Sequence, residues 1–129
     1  MKHRHQQRIQ EPLLLRVVVQ IHEWETCQSQ CLGSGSGRDL YFQLAASYLN
    51  PLSTPPSIKQ LQGRHSERTL RLRLREFEQE GLIEVVSDTP DQRTRQIVPT
   101  EKFKQVLNEH LNLMRKMLDQ HYIVIDKNN

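Results

Sequence analysis

A chain of 129 residues is long enough to bury one modest core and too short for two independent domains. A formal charge of +3, a pI near 9.1 and a mean hydropathy of −0.70 describe a mildly basic chain, so any affinity for nucleic acid must come from where the cations lie. Spanning and disulfide-framework classes are excluded, because no apolar run approaches the ~20 residues of a membrane helix and only two cysteines are present.

The opening MKHRHQQRIQ lacks the apolar core of a secretory leader, and with so few cysteines the expected location is cytoplasmic. From Glu11 to Trp24 the segment EPLLLRVVVQIHEW carries Leu13, Leu14, Leu15, Val17, Val18, Val19 and Ile21. That is more apolar surface than one short helix can hide alone, and it predicts a partner surface. Cys27 and Cys31 follow at i, i+4. On a helix they would share a face, open to a metal with His22, to a redox role, or to plain packing near a helix end.

Gly33 to Gly37 has the composition of a flexible Gly-Ser loop, and Asp39 is expected to cap a helix through Tyr48 that Asn50-Pro51 ends. After Pro55-Pro56, residues Ser57 to Gln62 predict a short helix, and Gly63-Arg64-His65 a tight connector. Ser66 is the expected N-cap of the next helix. Leu70, Leu74 and Phe77 lie within about 60° on its wheel, as do Arg68, Arg71 and Arg75 on the other flank. Five arginines fall between Arg64 and Arg75, whereas Glu76, Glu78, Glu80 and Glu84 come immediately after.

Gly81 should close this helix in the left-handed conformation, with Leu82 making the accompanying contact. Leu82, Ile83, Val85 and Val86, then the polar run Ser87 to Gln92, then Ile97 and Val98 predict a β-hairpin with Arg93 and Arg95 on its returning arm. Thr100 can cap a final helix of around twenty residues in which Phe103, Leu107, Leu111, Met114, Met117, Leu118 and Tyr122 recur at three- and four-residue spacing.

The order helix, turn, helix, hairpin resembles the winged helix-turn-helix of the MarR family of transcription regulators. The resemblance rests on Ser66, Thr69, Leu70, Leu74, Phe77, Glu78, Gly81, Leu82 and Ile83, and in the wing on Asp91, Arg93, Ile97, Val98, Thr100 and Glu101. Pro99 stands where the family usually has leucine and Phe103 where it has glycine. The expected class is therefore mainly α with a small β-hairpin wing: an N-terminal dimerisation helix and flanks at 1–32, a winged helix-turn-helix core at 33–99 and a C-terminal dimerisation helix and tail at 100–129.

Two long apolar helices on so short a chain are most economically covered by a second copy, and the resemblance implies the same twofold homodimer. Its reader helices would then meet half-sites roughly 10 base pairs apart in a palindromic operator on double-stranded DNA. In the major groove Arg68, Arg71 and Arg75 can meet guanine edges, Glu67 a cytosine amino group and Leu72 a thymine methyl. Arg64, Ser66 and Arg95 complete the expected contact set, and the resemblance implies that Arg93, oriented by Asp91, probes the minor groove.

Repression, and its release by a small-molecule or redox signal, are implied by the resemblance alone, and some relatives sense oxidants through a cysteine in the first helix. No phosphate-cradling glycine motif, nucleophile elbow or metal-hydrolase pair is present, so neither enzyme activity nor a cofactor is expected. His3, His5, His22, His65, His110 and His121 are scattered without metal-site spacing; His65 is read as a phosphate contact or turn residue, and His110 and His121 as flanking the dimer stripe. The alternative is a winged-helix protein-interaction module, which an apolar reader face would favour and an arginine face does not.

Overall fold

The computed structural model describes residues 11–61, 65–86 and 95–121. Helix α1 (Glu11–Gln28) leads through a 3-10 turn (Gln30–Gly33) into α2 (Gly35–Leu49), and α3 (Ile58–Leu61) and α4 (Glu67–Gln79) precede a hairpin of β1 (Ile83–Val86) and β2 (Gln96–Pro99), closed by α5 (Glu101–His121). The molecule is mainly helical, with one small two-stranded antiparallel sheet. Among the described residues no helix is long and apolar enough to cross a membrane.

The Gly-Ser stretch is not a loop. Ser34 accepts from the Gly37 amide at 3.0 Å and caps α2, so the helix begins four residues before Asp39, the expected cap. Gly37 lies directly over the 3-10 turn, where a Cβ would collide with the Cys31 carbonyl oxygen and sit 2.8 Å from Ser34 Oγ. Asp39 instead accepts from His65 Nε2 at 2.8 Å, tying α2 to the residue before the α4 cap.

Strand pairing runs Ile83 to Pro99 and Val85 to Ile97. The chain before α3 joins this sheet too, since Ser57 bridges Gln96 and Pro56 O accepts from the Ile97 amide at 2.8 Å. Pro99 is tolerated in β2 because its nitrogen does not face β1; the next ladder donor is the Thr100 amide, which donates to Leu82 O at 3.0 Å. The polar turn expected at Ser87 to Gln92 lies outside the described residues.

The core gathers Leu32, Leu40, Tyr41, Leu44, Leu70, Leu74, Phe77, Ile83, Ile97, Phe103 and Leu107. Phe77 and Phe103 are fully buried, and Phe103 packs α5 onto the core. Thr100 caps α5 by accepting from the Phe103 amide at 3.3 Å, and its hydroxyl donates to Gly81 O at 2.5 Å, which joins the end of α4 to the start of α5.

On α1 only Val17 among the aliphatic residues is buried, whereas Leu14, Leu15, Val18 and Val19 remain 45–67% exposed. Against α5 the helix instead buries a charge. Glu25 is 1% exposed and accepts from Arg38 Nε at 2.8 Å and from His110 Nε2 at 2.9 Å, while Tyr41 hydroxyl and His110 Nδ1 lie 2.8 Å apart. Trp24 stacks on the imidazole with centroids 5.1 Å apart. His110 is thus a core residue, not a flank of the dimer stripe, because its ring fits between aromatic faces and both its nitrogens are satisfied inside the chain.

Candidate nucleic-acid interface

Helix α4 starts where Ser66 Oγ accepts from the Thr69 amide at 3.1 Å, a cap that satisfies a first-turn donor. Ser66→Ala is expected to cost about 1 kcal/mol in chemical denaturation. The helix ends at Glu80, and Gly81 takes φ 75°, the left-handed value that releases the chain into β1.

The ends and back of α4 are bolted down by polar contacts. The Glu80 carboxylate accepts from Ser29 Oγ at 2.6 Å and from Cys31 Sγ at 3.1 Å, and Lys102 Nζ donates to Glu80 O at 2.7 Å. Arg73 turns away from the other arginines, its Nε donating to Ser36 Oγ at 2.6 Å and its Nη1 to Glu76 at 2.9 Å. Of the arginines counted in the sequence, Arg73 therefore orients the helix and is not on its outer face.

That outer face carries Glu67, Arg68, Thr69, Arg71, Leu72 and Arg75 around a concavity of about 570 Å³. Arg71 Nε donates to Glu67 at 3.0 Å across the helix surface. An exposed i, i+4 pair contributes only a few tenths of a kcal/mol, so a better acceptor can displace it. Arg68 and Arg75 are exposed and form no ion pair among the described residues. Leu72 projects between them, 44% exposed.

On the hairpin side a second cleft of about 330 Å³ lies between α3, α4 and the sheet, lined by Ile58, Arg71, Leu74, Arg75, Glu78, Val85 and Arg95. Arg64 and Arg93 lie outside the described residues, so the interface can be drawn only with Ser66, Glu67, Arg68, Arg71, Leu72, Arg75 and Arg95.

The chain matches no protein-family model and no curated protein.

Cys27 and Cys31 do not share a helix, because α1 ends at Gln28 and Ser29 caps the 3-10 turn that carries Cys31. Cys27 is exposed and Cys31 buried. Burial, reinforced by the hydrogen bond to Glu80, pushes the Cys31 thiol up to about 12, which keeps it protonated at neutral pH and a poor nucleophile. His22 lies 3.4 Å from Glu25, and no group of three metal-ligating side chains that could hold an ion occurs among the described residues.

Sequence reasoning missed the cluster of Glu25, Arg38, Tyr41 and His110. The signal was present: His110 occupies the position between Leu107 and Leu111 on the apolar stripe of α5, and Glu25 extends the inward face of Val17, Ile21 and Trp24. A polar residue on each of two facing stripes is the pattern of a paired buried contact.

Proposed function

We propose that this chain is a sequence-specific double-stranded DNA-binding regulator of transcription, built as a MarR-like winged helix-turn-helix and acting as a twofold homodimer. In this reading α3, the connector before Ser66 and α4 form the helix-turn-helix, and the hairpin is the wing. The observation that carries it is the division of labour on α4. Leu70, Leu74 and Phe77 are buried, Arg73 and Glu80 lock the orientation, and Arg68, Arg71 and Arg75 are left facing outward beside the sheet.

Arginines on that face meet phosphates first, a salt-sensitive and sequence-blind attraction, and then guanine edges, where a bidentate contact discriminates by roughly 1–3 kcal/mol. Arg71→Ala is expected to weaken binding to the preferred site by about tenfold or more and to relax preference at one base pair, read by fluorescence anisotropy on matched and single-substituted duplexes. Equal losses on specific and random duplex would remove Arg71 from base reading.

The exposed face of Leu14, Leu15, Val18 and Val19, with Leu118 46% exposed on the last turns of α5, supports dimerisation through the terminal helices. Val18→Glu is expected to shift sedimentation toward monomer and to lower affinity for a two-half-site duplex far more than for a single half-site. Repression relieved by a small-molecule or redox signal completes the reading.

A further inference from the structure

Arg95, immediately before β2, lines the cleft between α3, α4 and the hairpin, and its Nε is buried without a hydrogen-bond partner. A buried guanidinium N–H without an acceptor is destabilising unless something supplies one. The cleft holds Arg75 and Arg95, with Arg71 paired to Glu67, against one lining carboxylate, Glu78, and its apolar lining is Ile58, Leu74 and Val85. Apolar walls beneath like charges concentrate a positive potential, so the missing acceptor should be an anion.

Arg71 and Arg75 belong both to this cleft and to the outward face of α4, so an anion seated here lies alongside whatever that face contacts. The geometry points to this cleft as the seat of one DNA backbone phosphate, gripped by Arg95 with Arg75 and wedged between reader helix and hairpin. The inference rests on the DNA-binding reading. It assigns Arg95 to holding register on the duplex, and leaves base reading to Arg68 and Arg71.

Arg95→Met keeps the aliphatic stem and removes the unpaired donor. In the free protein its melting temperature should equal or exceed that of the wild type, because no intramolecular bond is lost. On DNA it should bind about tenfold to a hundredfold more weakly, equally on preferred and random duplexes. The slope of log K against log salt should shrink by about 0.9 per reader helix, and Arg95→Lys should restore much of that slope.

An unchanged slope on DNA that the wild type binds overturns the phosphate seat alone. Absence of wild-type binding to any duplex removes the DNA reading and the seat with it. A loss confined to one base position makes Arg95 a base reader, and a marked fall in melting temperature makes it a structural group; each contradicts the seat. So does stabilisation of the wild type by inorganic phosphate that Arg95→Met abolishes while the salt slope stays unchanged, because the cleft would then hold a free anion.

Discussion

Glu25→Ala is expected to destabilise the fold by about 3–5 kcal/mol, the combined loss from a buried donor left unsatisfied and the cavity that the side chain vacates. Against a total stability of roughly 5–15 kcal/mol, that leaves a substantial unfolded population near physiological temperature. The reason is local. Removing the carboxylate strips the acceptor from His110 Nε2, which has no exposure to water, releases Arg38 and leaves a void beside His110. Glu25→Gln retains an acceptor of the same shape and should cost less, about 1–3 kcal/mol.

The same cluster sets a pH dependence. Burial draws His110 below the ordinary histidine value of 6.5, although the Glu25 carboxylate opposes this, and the neutral ring can donate from Nε2 to Glu25 while accepting from the Tyr41 hydroxyl at Nδ1. Burial alone would raise Glu25, but the hydrogen bond and charge of Arg38, with His110 and His22, bring it below its ordinary 4.5. Both shifts are downward, so the unfolded chain takes up protons first as pH falls. Stability contributed by His110 is complete above pH 6.5 and is lost as pH drops through its lowered folded value; that of Glu25 is lost further down, below 4.5. Denaturant midpoints measured from pH 8 to pH 4 should fall from about 6.5 downward. A flat profile across that range would contradict the neutral-histidine arrangement.

Gly37→Ala should be the most damaging of the glycine substitutions, costing about 3 kcal/mol or more, because the obstacle is the Cys31 backbone carbonyl and not a side chain that can swing aside. Gly33→Ala and Gly35→Ala meet nothing within 4 Å and serve as controls expected to be near neutral. The consequence reaches α4. The turn that Gly37 packs on carries Ser29 and Cys31, the two donors that fix Glu80, so a shifted turn loosens the end of α4. Thermal unfolding of the three variants provides the comparison, and equal melting temperatures would mean that the contact relaxes without penalty.

Local signals were legible wherever one residue dictates one conformation. The cap at Ser66, the left-handed Gly81, the cap at Thr100 and the apolar stripe at Leu70, Leu74 and Phe77 all follow from side-chain chemistry within a few residues. Gly33 to Gly37 was misleading, because the composition of a linker is also that of a serine-capped helix start needing one close backbone approach. The inward turn of Arg73 depends on Ser36, far away in sequence, and the burial of His110 depends on Glu25 and Tyr41. Periodicity along one helix cannot reveal either partner. Of the interface, the outward arginines were visible as a stripe, whereas the cleft containing Arg95 exists only once α3, α4 and the hairpin are assembled.

Selection of the intact protein's preferred sites from a pool of random duplexes, repeated over a series of salt concentrations and read by sequencing, tests the central claim most directly. The account predicts recovery of a palindrome with half-sites about 10 base pairs apart, and an affinity that falls steeply with salt. Negligible retention even at low salt would contradict it, and would leave the arginine face of α4 as a solvated surface on a protein-interaction module.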